Sequence, residues 1–223
     1  MKNLFTIILT CFLGLTLNHT YGQKIYDVDS EVRENSIVVN TTAMDMIENE
    51  NYESATRILA DVIKKDPTFN PAYINYYRAG KNLTDKTEDV ILALKEGLEI
   101  FEENDEMAYY LGNIFQREAR FQEAIEAYTD AIAYSNNYGE DFPLVWAYHF
   151  NRGNCHLKSK NFKAAIPDYD YALTLSPDNP DILTNRGYCF YQSDRKTEAC
   201  TDWTEAKSLG NKQTQKYLDS FCK

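Results

Sequence analysis

The chain of 223 residues contains little of what breaks regular structure, with only 9 Gly and 6 Pro. That scarcity argues against collagen, proline-rich linkers and low-complexity disorder. Basic residues are also under-represented, with 23 Lys and Arg against 34 Asp and Glu and a net charge of −11. Because phosphate neutralisation needs clustered cations, we do not expect a nucleic-acid-binding surface. The length suits one or two domains with a substantial core.

The N-terminal segment has the features of a leader rather than of a membrane helix. Its apolar part, Leu4–Leu17, has 14 residues, whereas an untilted membrane helix needs about 20. Lys2 precedes this part, and small or polar residues around Gly22 follow it. The pattern predicts a signal peptide at residues 1–22 and an exported product, periplasmic or secreted. An uncleaved anchor and lipidation at Cys11 are the alternatives.

Cleavage after Gly22 would remove Lys2 and no acidic residue, which takes the net charge from −11 to −12. It would also leave four of the five cysteines, namely Cys155, Cys189, Cys200 and Cys222. An even number of cysteines in an exported protein permits disulfides, although four cysteines allow three full pairings.

Small residues recur with a fixed spacing along most of the chain. A glycine is followed by alanines 12 and 19 residues later, and this unit occurs at Gly112, Gly153 and Gly187. The last two glycines are 34 residues apart, whereas the first two are separated by one such period plus an insertion near Asn137–Pro143. A fourth unit begins at Ala43, with valine in place of the second alanine.

Small side chains at facing turns let two antiparallel helices approach closely. A 34-residue helix–turn–helix unit with this spacing resembles the tetratricopeptide repeat (TPR) family. The resemblance implies an all-α, right-handed α-solenoid of about five TPR-like helical hairpins with a C-terminal capping helix. We place the hairpins at about 36–69, 70–104, 105–138, 146–179 and 180–213, the cap at 212–222, and a flexible lead-in at 23–35.

Two segments of this scheme depend on less regular patterns. In 70–104, Arg78 or Ala79 stands where the first helix should have its small residue, and Gly97 stands where alanine is expected. The cap is predicted from apolar side chains spaced for one face of a helix, which are Tyr217, Leu218 and Phe221.

Catalytic motifs are absent from the sequence: it has no glycine-rich phosphate loop, no Gly-x-Ser-x-Gly elbow and no His-Glu-x-x-His pair. Past the leader only His149 and His156 remain, roughly 10 Å apart along a helix and too far to chelate one metal alone. We predict no enzyme, no cofactor and no metal. Each imidazole is expected to replace an apolar packing side chain, with a pH-sensitive joint as one alternative. An unfamiliar catalytic site that includes Arg152 and Asp168 is another.

Two arginines of predicted first helices have an aspartate 16 residues later, in the second helix of the same hairpin. Where the first position is Leu111 instead, the second is Ala127. The paired change predicts a partly buried, structural salt bridge between the two helices of a hairpin, in each of two hairpins. The pairs are Arg152–Asp168 and Arg186–Asp202.

The resemblance also implies where a ligand would bind, because in this family the first helices line a concave face that takes extended peptides or partner helices. The residues expected there combine aromatic anchors with asparagines, whose amides can donate to and accept from a peptide backbone. They are Tyr109, Asn113, Phe150, Asn151, Asn154, Asn185, Tyr188 and Tyr191. Since the chain is acidic, we expect a neutral or basic protein or peptide partner. A structural subunit of an envelope assembly, with no ligand in the groove, is the alternative.

One subclass of the family binds a partner's C-terminal carboxylate through lysines and arginines of the first helices. Here Asp181 and Tyr109 stand where those cations would be needed. We therefore do not expect this chain to bind acidic tails in that way.

The repeat positions also favour one cysteine pairing. Cys200 lies at the position that isoleucine fills in earlier hairpins, and this position should face the next element, the cap that contains Cys222. Cys155 and Cys189 lie at equivalent positions on adjacent first helices, whose axes are about 8–10 Å apart and thus beyond comfortable disulfide reach. We predict a Cys200–Cys222 disulfide and two buried thiols, with four free thiols as the alternative.

Overall fold

The computed structural model describes residues 27–136 and 144–223, so the predicted signal peptide and the predicted insertion lie outside the described residues. Within these ranges the regular structure consists of eleven α-helices and a short 3-10 turn, Thr84–Lys86. The helices are α1 Ser30–Glu48, α2 Tyr52–Lys65, α3 Asn70–Gly80, α4 Thr87–Ile100, α5 Asp105–Arg117, α6 Phe121–Ser135, α7 Val145–Lys158, α8 Phe162–Leu175, α9 Pro180–Gln192, α10 Lys196–Ser208 and α11 Thr214–Phe221.

The helices pack in sequence order as five hairpins, each made of an odd-numbered first helix and an even-numbered second helix. Every second helix from α2 to α8 also packs against the first helix of the next hairpin, and α11 packs on α10. This arrangement is an α-solenoid with a C-terminal cap, and it confirms the predicted fold. None of the described helices is long and apolar enough to cross a membrane.

A glycine in three of the first helices makes room for an aromatic ring from the second helix. Gly153 lies against Tyr169, where an added Cβ would come within 2.9 Å of the ring. Gly187 lies against Trp203 with a corresponding distance of 2.7 Å, and Gly112 faces Tyr128 at closer range still. All three rings are fully buried. The glycines therefore recur in the repeat because, in each of these hairpins, a ring of the second helix packs closely against the backbone of the first.

The second hairpin differs from the others at the turn between its two helices. In the other hairpins this turn contains one non-glycine residue in the left-handed region, with φ between 57° and 62°, at Glu50, Ala119, Lys160 and Asp194. In the second hairpin the 3-10 turn takes its place, and α3 ends at Gly80 beside Val90. Gly97 replaces the expected alanine because a Cβ there would lie 2.9 Å from Sδ of Met107. These local changes explain why 70–104 fits the repeat pattern poorly.

The last part of the segment predicted as a flexible lead-in, residues 30–35, belongs to a helix, because α1 begins at Ser30. Asp29 caps the helix by accepting a hydrogen bond from the Glu31 backbone N–H at 2.7 Å, a common way to satisfy a free helix-terminal donor. Arg33 then donates from Nε to the fully buried Asp66 at 2.6 Å. Residues 30–35 are thus part of the first hairpin, fixed by contacts that the repeat pattern does not include.

Candidate functional site

The eight predicted groove residues all lie on α5, α7 and α9, and all are half-buried. We call the exposed side of these three helices the first-helix face. In the solenoid these helices stand side by side, with α7 in contact with both α5 and α9, and a second helix packs behind each neighbouring pair. The structure thus brings the predicted residues of hairpins 3, 4 and 5 onto one surface.

The asparagines of this face form a hydrogen-bonded ladder between hairpins. Asn151 donates from Nδ2 to Oδ1 of Asn113 at 3.2 Å. At the next joint Asn185 donates in the same way to Oδ1 of Asn154 at 2.8 Å. These asparagines therefore connect successive first helices, and their amide groups are already hydrogen-bonded within the protein.

Each accepting asparagine also receives a hydrogen bond from the core. The hydroxyl of Tyr128 donates to Oδ1 of Asn113, and that of Tyr169 donates to Oδ1 of Asn154, both at 2.8 Å. Burial raises the pKa of both tyrosines far above the usual range, so the hydroxyls keep their protons. Both lone pairs of the Asn154 carbonyl are thus used inside the protein. At Asn113 the single Tyr128 proton is shared with Oε1 of Gln116, which also lies 2.8 Å from the hydroxyl. The sequence places these asparagines on first helices but gave no indication of their tyrosine partners.

Aromatic rings form the remainder of the face. The Tyr109 ring centroid lies 4.8 Å from that of Tyr148, and Asn151 donates to the Tyr109 hydroxyl at 3.4 Å. Phe150 lies about equally far from two other rings, 6.2 Å from Trp146 and 6.1 Å from Tyr169. These contacts hold Tyr109 and Phe150 in place while part of each ring stays exposed.

Two of the predicted groove residues also contact the cap. The Tyr191 ring lies 4.3 Å from Phe221, and the Tyr188 ring lies 6.2 Å from Tyr217. Only part of each ring remains for a ligand, because α11 covers the end of the solenoid. The sequence pattern identified both the cap and these tyrosines without indicating that they meet.

The cap is also held covalently. Cys200 on α10 and Cys222 just after α11 form a disulfide, with their Cα atoms 5.7 Å apart. Cys155 and Cys189 are fully buried free thiols, and burial raises the pKa of both to about 12. The structure therefore places all four cysteines in the arrangement that the repeat positions favour.

Comparison with known proteins identifies the repeat. A family model described as "Tetratricopeptide repeat" matches residues 109–180 and 161–206, which carry the Gly–aromatic contacts of hairpins 3 to 5. The chain belongs to the tetratricopeptide repeat family. Its TPR hairpins are units of a kind that mediates protein–protein interaction.

Curated relatives share only part of their length with this TPR protein. The Hsp70/Hsp90 co-chaperone CNS1 of Saccharomyces cerevisiae is 31% identical over 88 residues, which is 40% of this chain and 22% of that protein. The E3 ubiquitin-protein ligase CHIP of Arabidopsis thaliana is 34% identical over 98 residues, which is 44% of this chain and 32% of that protein. The chain thus spans about a fifth to a third of these relatives.

Solved structures resemble the TPR solenoid over most of its length. The Pseudomonas aeruginosa pilF protein matches with a TM-score of 0.66 and 15% identity, over 82% of this chain and 80% of that one. A MamA structure matches with a TM-score of 0.67 and 18% identity, over 78% of this chain and 96% of that one. At these identities the likeness shows the fold.

Two arginines hold neighbouring TPR hairpins together. Arg152 donates from Nη2 to Oδ1 of Asp168 at 2.6 Å and from Nε to Oδ2 at 3.0 Å. Its remaining Nη1 donates to Thr129, on the second helix of the preceding hairpin, at 3.1 Å. Arg186 repeats this arrangement one hairpin later, with two bonds of 2.8 Å to Asp202 and one of 2.8 Å to Asp170. The bonds to the preceding hairpin are contacts that sequence reasoning missed.

The histidines belong to the same packed region. Nδ1 of the buried His149 lies 3.3 Å from Oδ1 of Asp168. Burial alone would raise the pKa of Asp168, but hydrogen bonds from His149 and Arg152 outweigh it and hold the pKa below its usual value. Burial lowers the pKa of His156. Among the described residues no three side chains are grouped as a metal site would require.

We expect Arg186→Leu alone to lower the free energy of unfolding by roughly 3 kcal/mol, since the buried Asp202 is left without its charge partner. Arg186→Leu combined with Asp202→Ala should recover much of that loss, because it copies the Leu111 and Ala127 pair of hairpin 3. A double-mutant cycle by urea denaturation measures the coupling. A coupling energy of zero would show that the bridge has no structural role.

Proposed function

We propose that this TPR protein is an exported, non-enzymatic interaction module that binds an extended peptide or a partner helix on its first-helix face. The observation that carries the proposal is the set of half-exposed aromatic and amide groups that α5, α7 and α9 present together. Tyr109 and Phe150 supply apolar area for anchoring, and the asparagine ladder beside them supplies polar edges. Binding energy at such surfaces is concentrated in partly enclosed aromatic anchors.

The fixed position of these groups supports the proposal. Tyr128 and Tyr169 orient Asn113 and Asn154 from within the core, so a ligand would not need to order them on binding. A site whose side chains are already held in place loses less conformational entropy when the ligand arrives. The same contacts limit what the asparagines can offer, because their carbonyl oxygens are already bonded.

The charge of the face favours a neutral or basic ligand. Glu106 lies on α5 and accepts from the Tyr110 hydroxyl at 2.5 Å, while the exposed Asp181 accepts from Asn211 at 3.0 Å. With a net charge of −11 for the whole chain, an acidic segment would be repelled at longer range as well. We therefore favour a neutral or basic segment of a protein partner.

A non-enzymatic role agrees with the chemistry of the His149–Asp168 pair. His149 and Asp168 are buried and lie within hydrogen-bonding distance of each other, and Arg152 also donates a hydrogen bond to Asp168. These groups hold helices together and have little access to a substrate. The second candidate function is a structural subunit that is held by its edges, with no ligand on the first-helix face.

Export is proposed from Lys2, the 14-residue apolar segment and Gly22. Intact-mass analysis of the protein expressed from its full-length gene in a bacterial host tests it. The expected product lacks residues 1–22 and begins at Gln23. A product that retains these residues, or one that carries a lipid on Cys11, would contradict this part of the proposal.

The first-helix face is tested with Phe150→Ala and the matched variant Phe121→Ala. Both remove a half-buried phenylalanine, but Phe121 lies on the second helix α6, away from the proposed face. The mature chain is first used to recover a partner from the envelope fraction of the source organism, and its affinity is then measured by calorimetry.

We expect Phe150→Ala to weaken this binding at least tenfold, since it removes an aromatic anchor, and Phe121→Ala to change it less than twofold. Thermal unfolding of the two variants serves as the control for stability. Binding that survives Phe150→Ala would favour the structural subunit, held by its edges.

A further inference from the structure

Within residues 27–136 and 144–223, a capping helix covers the last hairpin of the solenoid, whereas no element covers the first. In hairpins 3 to 5 the third residue of each repeat is completely buried, and these residues are Met107, Tyr148 and Ile182. Each of their helices packs against the second helix of the preceding hairpin. Val38 is the corresponding residue of the first repeat, yet it is 64% exposed. Among the described residues no helix precedes α1 to cover it.

Acidic residues surround this apolar position on α1. Glu34, Val38, Thr41, Asp45 and Glu48 follow one another at intervals of four and three residues, so they form one row along the helix. All five are exposed. The row thus has an apolar residue near its centre and three carboxylates around it.

The apolar part is wider than Val38 alone. Ile37 and Met44 lie next to the row and are 50% and 41% exposed. The nearest cation on the helix, Arg33, is engaged by Asp66 at 2.6 Å and does not neutralise the row. We call the exposed side of α1 that carries Ile37, Met44 and the row the N-terminal face.

A second copy of the chain does not fit the N-terminal face. Two α1 helices paired about a two-fold axis near Thr41 would place Glu34 of one against the Asp45–Glu48 segment of the other, and like charges there oppose pairing. Head-to-tail stacking is blocked at the other terminus. There α11 covers α10, and the Cys200–Cys222 disulfide holds it in place.

We propose that the N-terminal face docks a basic amphipathic helix of a partner protein, which packs on α1 as the second helix of a preceding hairpin would. The apolar side chains of that helix would cover Val38 and Ile37. Its lysines or arginines would lie against Glu34, Asp45 and Glu48. This surface is separate from the first-helix face of hairpins 3 to 5, so a ligand can occupy each independently.

The probe for this proposal is a synthetic 18-residue helical peptide with a leucine stripe flanked by lysines. A second peptide carries glutamates in place of the lysines. Binding to the full chain is followed by fluorescence anisotropy at about 50 mM salt, where interactions between exposed charges are only weakly screened. We expect the lysine peptide to bind and the glutamate peptide not to bind.

Val38→Glu should weaken binding of the lysine peptide at least tenfold. The matched control is Leu92→Glu, which makes the same type of change at a leucine on α4 that is 58% exposed. We expect less than a twofold effect from the control. Equal effects of the two variants would overturn the proposal.

A charge reversal separates local recognition from general attraction to an acidic chain. The double variant Glu34→Lys with Asp45→Lys should no longer bind the lysine peptide and should bind the glutamate peptide instead. Glu96→Lys with Glu99→Lys changes the net charge equally at exposed positions of α4, and should keep the original preference. If both double variants weaken binding of the lysine peptide equally, the attraction is non-specific and the proposal is wrong.

Two further measurements examine the other possible occupants. Light scattering of the full chain should give a monomer, and a dimer that Val38→Glu dissociates would assign the face to a second copy instead. Thermal unfolding without peptide should be the same for Val38→Glu and Leu92→Glu. A markedly lower midpoint for Val38→Glu alone would mean that the chain's own residues cover the face, which also contradicts the proposal.

Discussion

A buried tyrosine packed against a glycine of the facing helix connects the core of each central hairpin to its surface. The ring of Tyr169 fits against Gly153, and its hydroxyl continues past the helix to bond Asn154. Asn154 in turn accepts from Asn185 of the next hairpin. One side chain thus sets the distance between the two helices of a hairpin and the position of an amide that joins the next. Tyr128 does the same for hairpin 3.

The last hairpin lacks this tyrosine–asparagine connection. In the last hairpin Trp203 replaces the tyrosine, and its indole N–H donates to the Thr184 carbonyl at 3.1 Å. The outer surface of Trp203 is then covered by Tyr217 of the cap, with ring centroids 4.9 Å apart. Because the following element is a single helix and not another hairpin, aromatic stacking and a disulfide replace the asparagine ladder there.

The parts of the structure that repeat were predictable from the sequence, and the parts specific to one joint were not. Gly112 and its equivalents recur because every hairpin needs the same close approach, and the paired change from Leu111 and Ala127 to Arg and Asp pointed to the bridges. The contact of Arg152 with Thr129 depends on how two hairpins are rotated against each other, which spacing within a repeat does not specify. Likewise, α1 starts early because Arg33 reaches Asp66, a contact outside the repeated pattern of small residues.

The most direct test of this account is a double-mutant cycle between Tyr169→Phe and Asn185→Ala, measured by urea denaturation. Tyr169→Phe keeps the ring against Gly153 and removes only the hydroxyl, so each single change should cost about 1 kcal/mol. Since both bonds meet at Asn154, the double variant should lose clearly less than the two single losses combined. Tyr128→Phe with Asn185→Ala, which involves separate joints, should be additive. Additive losses in the first pair would contradict the claim that the core tyrosine positions the ladder.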